Sequence, residues 1–204
     1  MRKTICFLIF LCFICGCAPA GPYANIKNVH EAAGDSIVCL GDSITAGAGA
    51  AAGQDYPSLL KSAVKLPVVN AGVSGDTTQG ALQRIAGVLS HRPKIVIVEL
   101  GGNDYLRGVS VSETFNNLRQ IIEKIQQEKA VVILIDLPLG PAYEEEYKNL
   151  ARDRGCLLIE GLMREVFDDR SLMADEMHPN SIGYQKMADK IGETVNALLL
   201  EMTP

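Results

Sequence analysis

Ser43 stands in the run Gly41-Asp42-Ser43-Ile44-Thr45, and His178 lies near the other end of the chain in Asp175-Glu176-Met177-His178-Pro179-Asn180. A serine hydroxyl is a poor nucleophile until a neutral imidazole within hydrogen-bond reach takes its proton. The imidazole in turn needs a carboxylate to fix its tautomer and stabilise its cation. Ser43, His178 and Asp175 can fill those three roles, so the chemistry to look for is acyl transfer. A tetrahedral oxyanion also needs donors aimed at it. The backbone N–H groups of Ser43 and Gly75 and the side-chain amide of Asn103 can supply three, and Gly75, lacking a Cβ, lets a reacting carbon approach the backbone. Because the imidazole acts only when neutral, activity is expected to fall on acidification.

Other residues compete for these roles. Ser74 is the nearest rival hydroxyl, though its turn favours a helix-entry or loop role. Asp168, Asp169 and Glu176 compete with Asp175 as the orienting acid, whereas Asp42 and Asp104 read as loop braces. His30 and His91 read as surface groups. With three histidines and no close His, Cys or carboxylate cluster, no metal site is expected. Residues 47–54 (GAGAAAGQ) lack the Lys-Ser/Thr of a phosphate loop and a clean G-x-G-x-x-G, which leaves a mobile wall beside the nucleophile. No G-x-S-x-G elbow occurs.

The elements that must position these residues are short, apolar and β-branched. Residues 36–40 (SIVCL), 67–70 (PVVN), 95–100 (IVIVEL), 131–136 (VVILID) and 157–159 (LLI) are continuous apolar runs, as strands covered on both faces of a parallel sheet require. Helical spacing lies between them. Phe115, Leu118, Ile121, Ile122 and Ile125 make one stripe, opened by a Ser110/Glu113 capping box, and Ile182, Met187, Ile191, Val195 and Leu198 make another. The alternation predicts a three-layer α/β/α sandwich around a five-stranded parallel sheet in the flavodoxin-like order 2-1-3-4-5. In that order ligands sit at the carboxyl ends of the strands, around the switch between the first and third. The loops carrying Ser43, Gly75 and Asn103 all leave from there.

The set GDSIT, GVSGD, GGND and DEMHPN resembles, in order and spacing, the four blocks of the SGNH (GDSL) hydrolases, and the likeness runs from about Ser36 to the last helix. VVNAGVSGDTTQGALQRI and IVIVELGGNDYLRG are similar to the bacterial thioesterase, arylesterase and lysophospholipase branch. The resemblance implies a flavodoxin-like fold and a Ser43, Asp175, His178 triad. It also implies an oxyanion hole of Ser43, Gly75 and Asn103, with no cofactor. Residues 137–155 form a connection a few residues shorter than that branch leads one to expect, in the region that borders the acyl pocket of such folds. The expected activity is hydrolysis of carboxylic esters or thioesters through an acyl-enzyme, on small acyl esters, thioesters or lysolipids. A carbohydrate O-acetylesterase and a non-catalytic envelope binding module are the alternatives.

Composition bounds the rest. The chain has 204 residues, 48% apolar and 21% charged, with formal charge −5, which suits one domain and excludes disordered and collagen-like classes. An excess of 24 carboxylates over 19 Lys and Arg argues against nucleic acid as a partner. Four of the six cysteines fall in MRKTICFLIFLCFICGC, where a basic pair precedes an apolar run too short to span a bilayer. Ile14-Cys15-Gly16-Cys17 resembles a bacterial lipobox. Residues 1–16 are therefore read as a lipoprotein signal, Cys17 as the lipidated new terminus, 17–34 as the lipidated cysteine and tether, and 35–204 as the hydrolase domain. Cleavage near residues 18–20 as an ordinary secretory signal and a retained anchor are the alternatives. Loss of Arg2 and Lys3 takes the charge from −5 to −7. The expected state is a monomer held to a membrane outside the cytoplasm by its lipid, periplasmic or at the outer membrane in a Gram-negative source. Cys39 and Cys156, in non-neighbouring strands, are expected to be core thiols.

Overall fold

Burial selects the strands. In β1 (Ser36–Gly41), β3 (Pro93–Glu99) and β4 (Val131–Ile135) nearly every residue is buried, whereas β2 (Val68–Gly72) and β5 (Leu157–Ile159) are partly open. Continuous apolar runs therefore occupy the centre of the sheet and shorter ones its edges. The computed structural model describes residues 23–202. All pairings are parallel and the order is β2-β1-β3-β4-β5, as the sequence predicts. Gly41 is level with Gly72 on one side and Glu99 on the other, so three loops leave the sheet at one height.

The connecting helices are α1 (Ser43–Ala46), α2 (Tyr56–Ala63), α3 (Thr78–Gln83), α4 (Ile85–Leu89), α5 (Gly102–Leu106), α6 (Val111–Gln127), α7 (Pro141–Arg154), α8 (Leu162–Phe167) and α9 (Ser181–Glu201). They divide into two groups of neighbours: α2 and α8 with α9, and α3, α4 and α7 with α6. Right-handed crossovers in this strand order put the two groups on opposite faces, which makes the three layers. On α6 the predicted stripe from Phe115 to Ile125 is buried, and the Ser110 hydroxyl accepts the Glu113 N–H at 3.2 Å. On α9 the stripe differs at its start. Ile182 is 66% exposed, because five residues before Met187 it points off that face, and Tyr184 at i−3 is buried in its place. Cys39 in β1 and Cys156 before β5 are buried free thiols with β3 and β4 between them.

Residues 23–34, expected to be tether, are laid against the amino ends of the strands. The Asn28 amide donates to the carbonyls of Gln126 (2.9 Å), in the last turn of α6, and Ala130 (3.0 Å), just before β4. Lys27 N–H donates to Gly155 O at 2.9 Å, Asp35 N–H to Arg92 O at 3.0 Å, and Val29 is buried in the core. The folded unit thus begins by Tyr23, and this docking joins the packing of Val29, Tyr23 and Ile26 to the Asn28 amide and backbone bonds, which no hydrophobic period announces. Cys17, the signal and residues 18–22 lie outside the described residues. Among the described residues no helix is long and apolar enough to cross a membrane.

Candidate active site

The turn after β1 is shaped by close approach. A Cβ on Gly41 would stand 1.9 Å from Thr45 Oγ1 and 2.7 Å from Glu99 O, so only glycine lets α1 fold back on the strand end. Asp42 caps α1: its Oδ1 accepts the Ile44 N–H at 3.0 Å. Its Oδ2 accepts from the Asn103 amide at 2.9 Å, which ties the first loop to the third. Ser43 is the first residue of α1.

His178 reaches this serine from far along the chain. Its Nε2 lies 3.0 Å from Ser43 Oγ, and its Nδ1 lies 2.9 Å from Asp175 Oδ2 and 3.1 Å from Oδ1. Asp175 also accepts the N–H groups of Met177 (2.7 Å) and His178 (2.8 Å). The imidazole bond and then these two N–H groups hold its pKa down to about 2, so it is ionised and acceptor-only. Nδ1 therefore carries the imidazole proton, and Nε2 presents its lone pair to the Ser43 hydroxyl. Asn180 holds the loop in place. Its Oδ1 caps α9 through the N–H groups of Ile182 and Gly183, and its amide donates to Ser171 O at 2.8 Å.

Asn103 lies in α5 and lines one cleft with Ser43 and His178. One of its amide hydrogens is used by Asp42, which leaves the second for the cleft. Gly75 follows β2 with φ of +77°, a left-handed conformation suited to glycine, and it is not among the residues lining the cleft. It is tied to the helix of Asn103 by Arg107, whose Nη2 donates to Gly75 O at 2.7 Å. Asp104 braces the same region by accepting from Thr78 N (2.9 Å) and Thr78 Oγ1 (2.6 Å). The cleft wall is apolar: Ile44, Leu106, Leu137, Leu139, Phe167 and Met177. Leu137 and Leu139 belong to the short connection singled out in the sequence.

Beneath the nucleophile turn lies Glu99, fully buried. Thr45 Oγ1 donates to its Oε2 at 3.0 Å, while Oε1 has no partner. Burial, and then the Asp42 carboxylate, push its pKa well above the usual carboxylate range, so Glu99 is a neutral acid. Burial also raises Asp42. Because Asp42 accepts two hydrogen bonds and faces His178, it is the member of the pair that carries the charge. In the unfolded chain Glu99 ionises near its ordinary value of about 4.3. Above that pH the folded state binds the extra proton, so this group makes stability fall as pH rises, until its native pKa is passed. Glu99→Gln removes the titration. Denaturant unfolding from pH 5 to 8 is expected to show a wild-type decline of up to about 1.4 kcal/mol per pH unit from this group, absent in the variant. Parallel pH curves would show that Glu99 is ionised in the fold.

The remaining sequence candidates lie elsewhere or do other work. Asp169 caps the turn at Ser171, Asp168 ends α8, and Glu176 is an exposed residue at the cleft. Ser74, His30 and His91 are exposed. The 47–54 segment, expected to be a mobile wall, is tied down: Tyr184 OH donates to Ala48 O at 2.7 Å, and Ala51 N–H to Ser181 Oγ at 3.3 Å. Among the described residues no group of three or more His, Cys, Asp or Glu is arranged to hold a metal ion. Sequence reasoning missed Glu99 and Arg107. A carboxylate inside the apolar run IVIVEL marks the first, and no local signal marks the second.

A family model described as GDSL-like Lipase/Acylhydrolase family matches residues 39–186. The protein "Thioesterase 1/protease 1/lysophospholipase L1" of Escherichia coli (strain K12) is 37% identical over 186 residues, which cover 85% of this chain and 89% of that protein. Among solved structures, the crystal structure of TesA matches with a TM-score of 0.74 at 31% identity, over 80% of this chain and 99% of that one. The psychrotrophic esterase EstA from Pseudoalteromonas sp., inhibited by monoethylphosphonate, matches with a TM-score of 0.73 at 27% identity, over 81% and 98%.

Proposed function

The chain belongs to the GDSL-like lipase/acylhydrolase family and is a serine ester hydrolase, and we propose that Ser43, His178 and Asp175 are its catalytic triad. The N–H groups of Ser43 and Gly75 and the Asn103 amide receive the oxyanion. The observation that carries this reading is the unbroken run of hydrogen bonds from Ser43 Oγ through His178 to Asp175.

Ser43 Oγ attacks the carbonyl carbon of the ester or thioester while its proton passes to His178 Nε2. The carbonyl oxygen becomes the oxyanion, and Asp175 stabilises the imidazolium. As the tetrahedral intermediate collapses, His178 returns the proton to the departing alcohol or thiol, leaving an acyl group on Ser43. Water then attacks the acyl carbon, losing its proton to the same Nε2, and the acid leaves as Ser43 regains its hydrogen. The apolar wall of the cleft favours acyl chains beyond acetate and disfavours a glycan, whose hydroxyls would need polar partners there. Small acyl esters, thioesters and lysolipids are the proposed substrates.

A fluorophosphonate probe is expected to label the wild-type protein at Ser43 and to leave Ser43→Ala unlabelled. Across p-nitrophenyl acetate, butyrate and decanoate, kcat/KM is expected to rise from acetate to butyrate. Equal labelling of the Ser43 variant sinks the nucleophile assignment, and turnover of acetate alone sinks the acyl-chain preference.

Residues 1–17 support a second part of the reading. Cys17 becomes the lipidated terminus, and the protein works as a monomer on the outer side of the cytoplasmic membrane, or at the outer membrane in a Gram-negative source.

A further inference from the structure

The N-terminal segment and the cleft occupy opposite ends of the sheet. The partners of residues 27, 28 and 35 are Gly155, Gln126, Ala130 and Arg92, which stand before β5, β4 and β3 at their amino ends. Ser43 and Asn103 follow β1 and β3, at the carboxyl ends. Cys17 is separated from Tyr23, the first described residue, by residues 18–22. Fully extended, that stretch reaches about 20 Å. A domain of this size has a radius of about 20 Å, so the path over its surface from one pole to the other is roughly 60 Å. The connection is too short for an anchor at Cys17 to lie beside the cleft.

Exposed apolar side chains gather at the cleft end. Six large apolar residues are exposed among those described, and four of them stand at the site. Val73 is two residues before Gly75, Tyr105 and Leu106 share the helix of Asn103, and Met177 precedes His178. The opposite pole carries exposed ion pairs, Lys129 with Glu31 and Arg92 with Asp35. An apolar rim suits an amphiphile arriving at the mouth.

We propose that in the anchored protein the catalytic mouth faces away from the bilayer that holds the chain and takes dispersed amphiphilic esters from the aqueous side. This rests on lipidation of Cys17. The lipids of the anchoring leaflet are then excluded as substrates by geometry, whatever the intrinsic preference of the cleft.

The test uses the full chain, purified from membranes in detergent, with mass spectrometry of its N-terminal peptide. It is reconstituted into phosphatidylcholine vesicles that contain a two-chain lipid bearing a fluorogenic butyrate ester on its head group. A second form carries 30 Gly/Ser residues inserted between Pro22 and Tyr23. Both forms are expected to hydrolyse the same lipid equally in detergent micelles. In vesicles the inserted form is expected to be at least tenfold faster than the native-length chain. Equal vesicle rates with diacylglycerol present on Cys17 overturn the orientation alone. A peptide without diacylglycerol overturns the anchor, and the orientation falls with it.

Discussion

Ser43→Ala is expected to lower kcat for p-nitrophenyl butyrate by roughly 10⁴- to 10⁶-fold, His178→Ala to cost about as much, and the double variant to be no worse than either single one. The two side chains act as one unit. Without the imidazole, the Ser43 hydroxyl has nowhere to send its proton, and without the hydroxyl, the imidazole at 3.0 Å has nothing to activate. The activity left in all three belongs to the oxyanion donors and to binding. Rate constants multiply when residues act independently, so a double variant much slower than both single ones would mean that the two groups serve different steps. Ser43 is the first residue of a four-residue helix and His178 lies in a loop held chiefly by Asn180, so neither truncation opens the core. Thermal unfolding should stay close to wild type, which separates lost chemistry from lost fold.

Asn103→Ala is expected to cost roughly 10²- to 10³-fold in kcat, with KM changed less than about threefold. The amide donates to a charge that exists only as the carbonyl carbon becomes tetrahedral, so its loss spares ground-state binding. A second effect is built in, because the same amide donates to the buried Asp42 carboxylate at 2.9 Å. Leaving that acceptor short of a donor costs about 1–3 kcal/mol of stability. Stability and kcat can be separated by Asn103→Ser, whose hydroxyl can serve one acceptor but not both. A variant that recovers stability while kcat remains low assigns the second hydrogen to the oxyanion. If KM rises and kcat holds, Asn103 binds the ground state.

The parts of this molecule that repeat or pack were the legible ones. Continuous apolar runs mark β1, β3 and β4 because both faces of those strands are covered, and the i, i+3, i+4 spacing from Phe115 to Ile125 marks the buried side of α6. Ser43, Asn103, Asp175 and His178 were legible because each stands in a short polar block directly after a strand or before the last helix. The residues that escaped act through single long-range hydrogen bonds. The Arg107 bond to Gly75 O, the Asn28 bonds to Gln126 and Ala130, and the Tyr184 bond to Ala48 O each join segments that no local period connects. Ile182 misled for a different reason: an apolar residue at the mouth of a helix fits a stripe on paper while the helical angle turns it to solvent.

The antiparallel bridge between Met173 and Pro179, with α9 behind it packed on α2, has a consequence for the order in which the enzyme comes into being. The chain is synthesised from its amino end. By the time Ile159 has emerged, all five strands, the nucleophile turn and the oxyanion loops are available to assemble. The base is not, since Asp175 and His178 come later and are clamped only when Asn180 has a helix to cap and Tyr184 can reach back to Ala48. Hydrolysis is therefore acquired late by the nascent polypeptide, and a chain cut short before Asp175 carries a serine with no base.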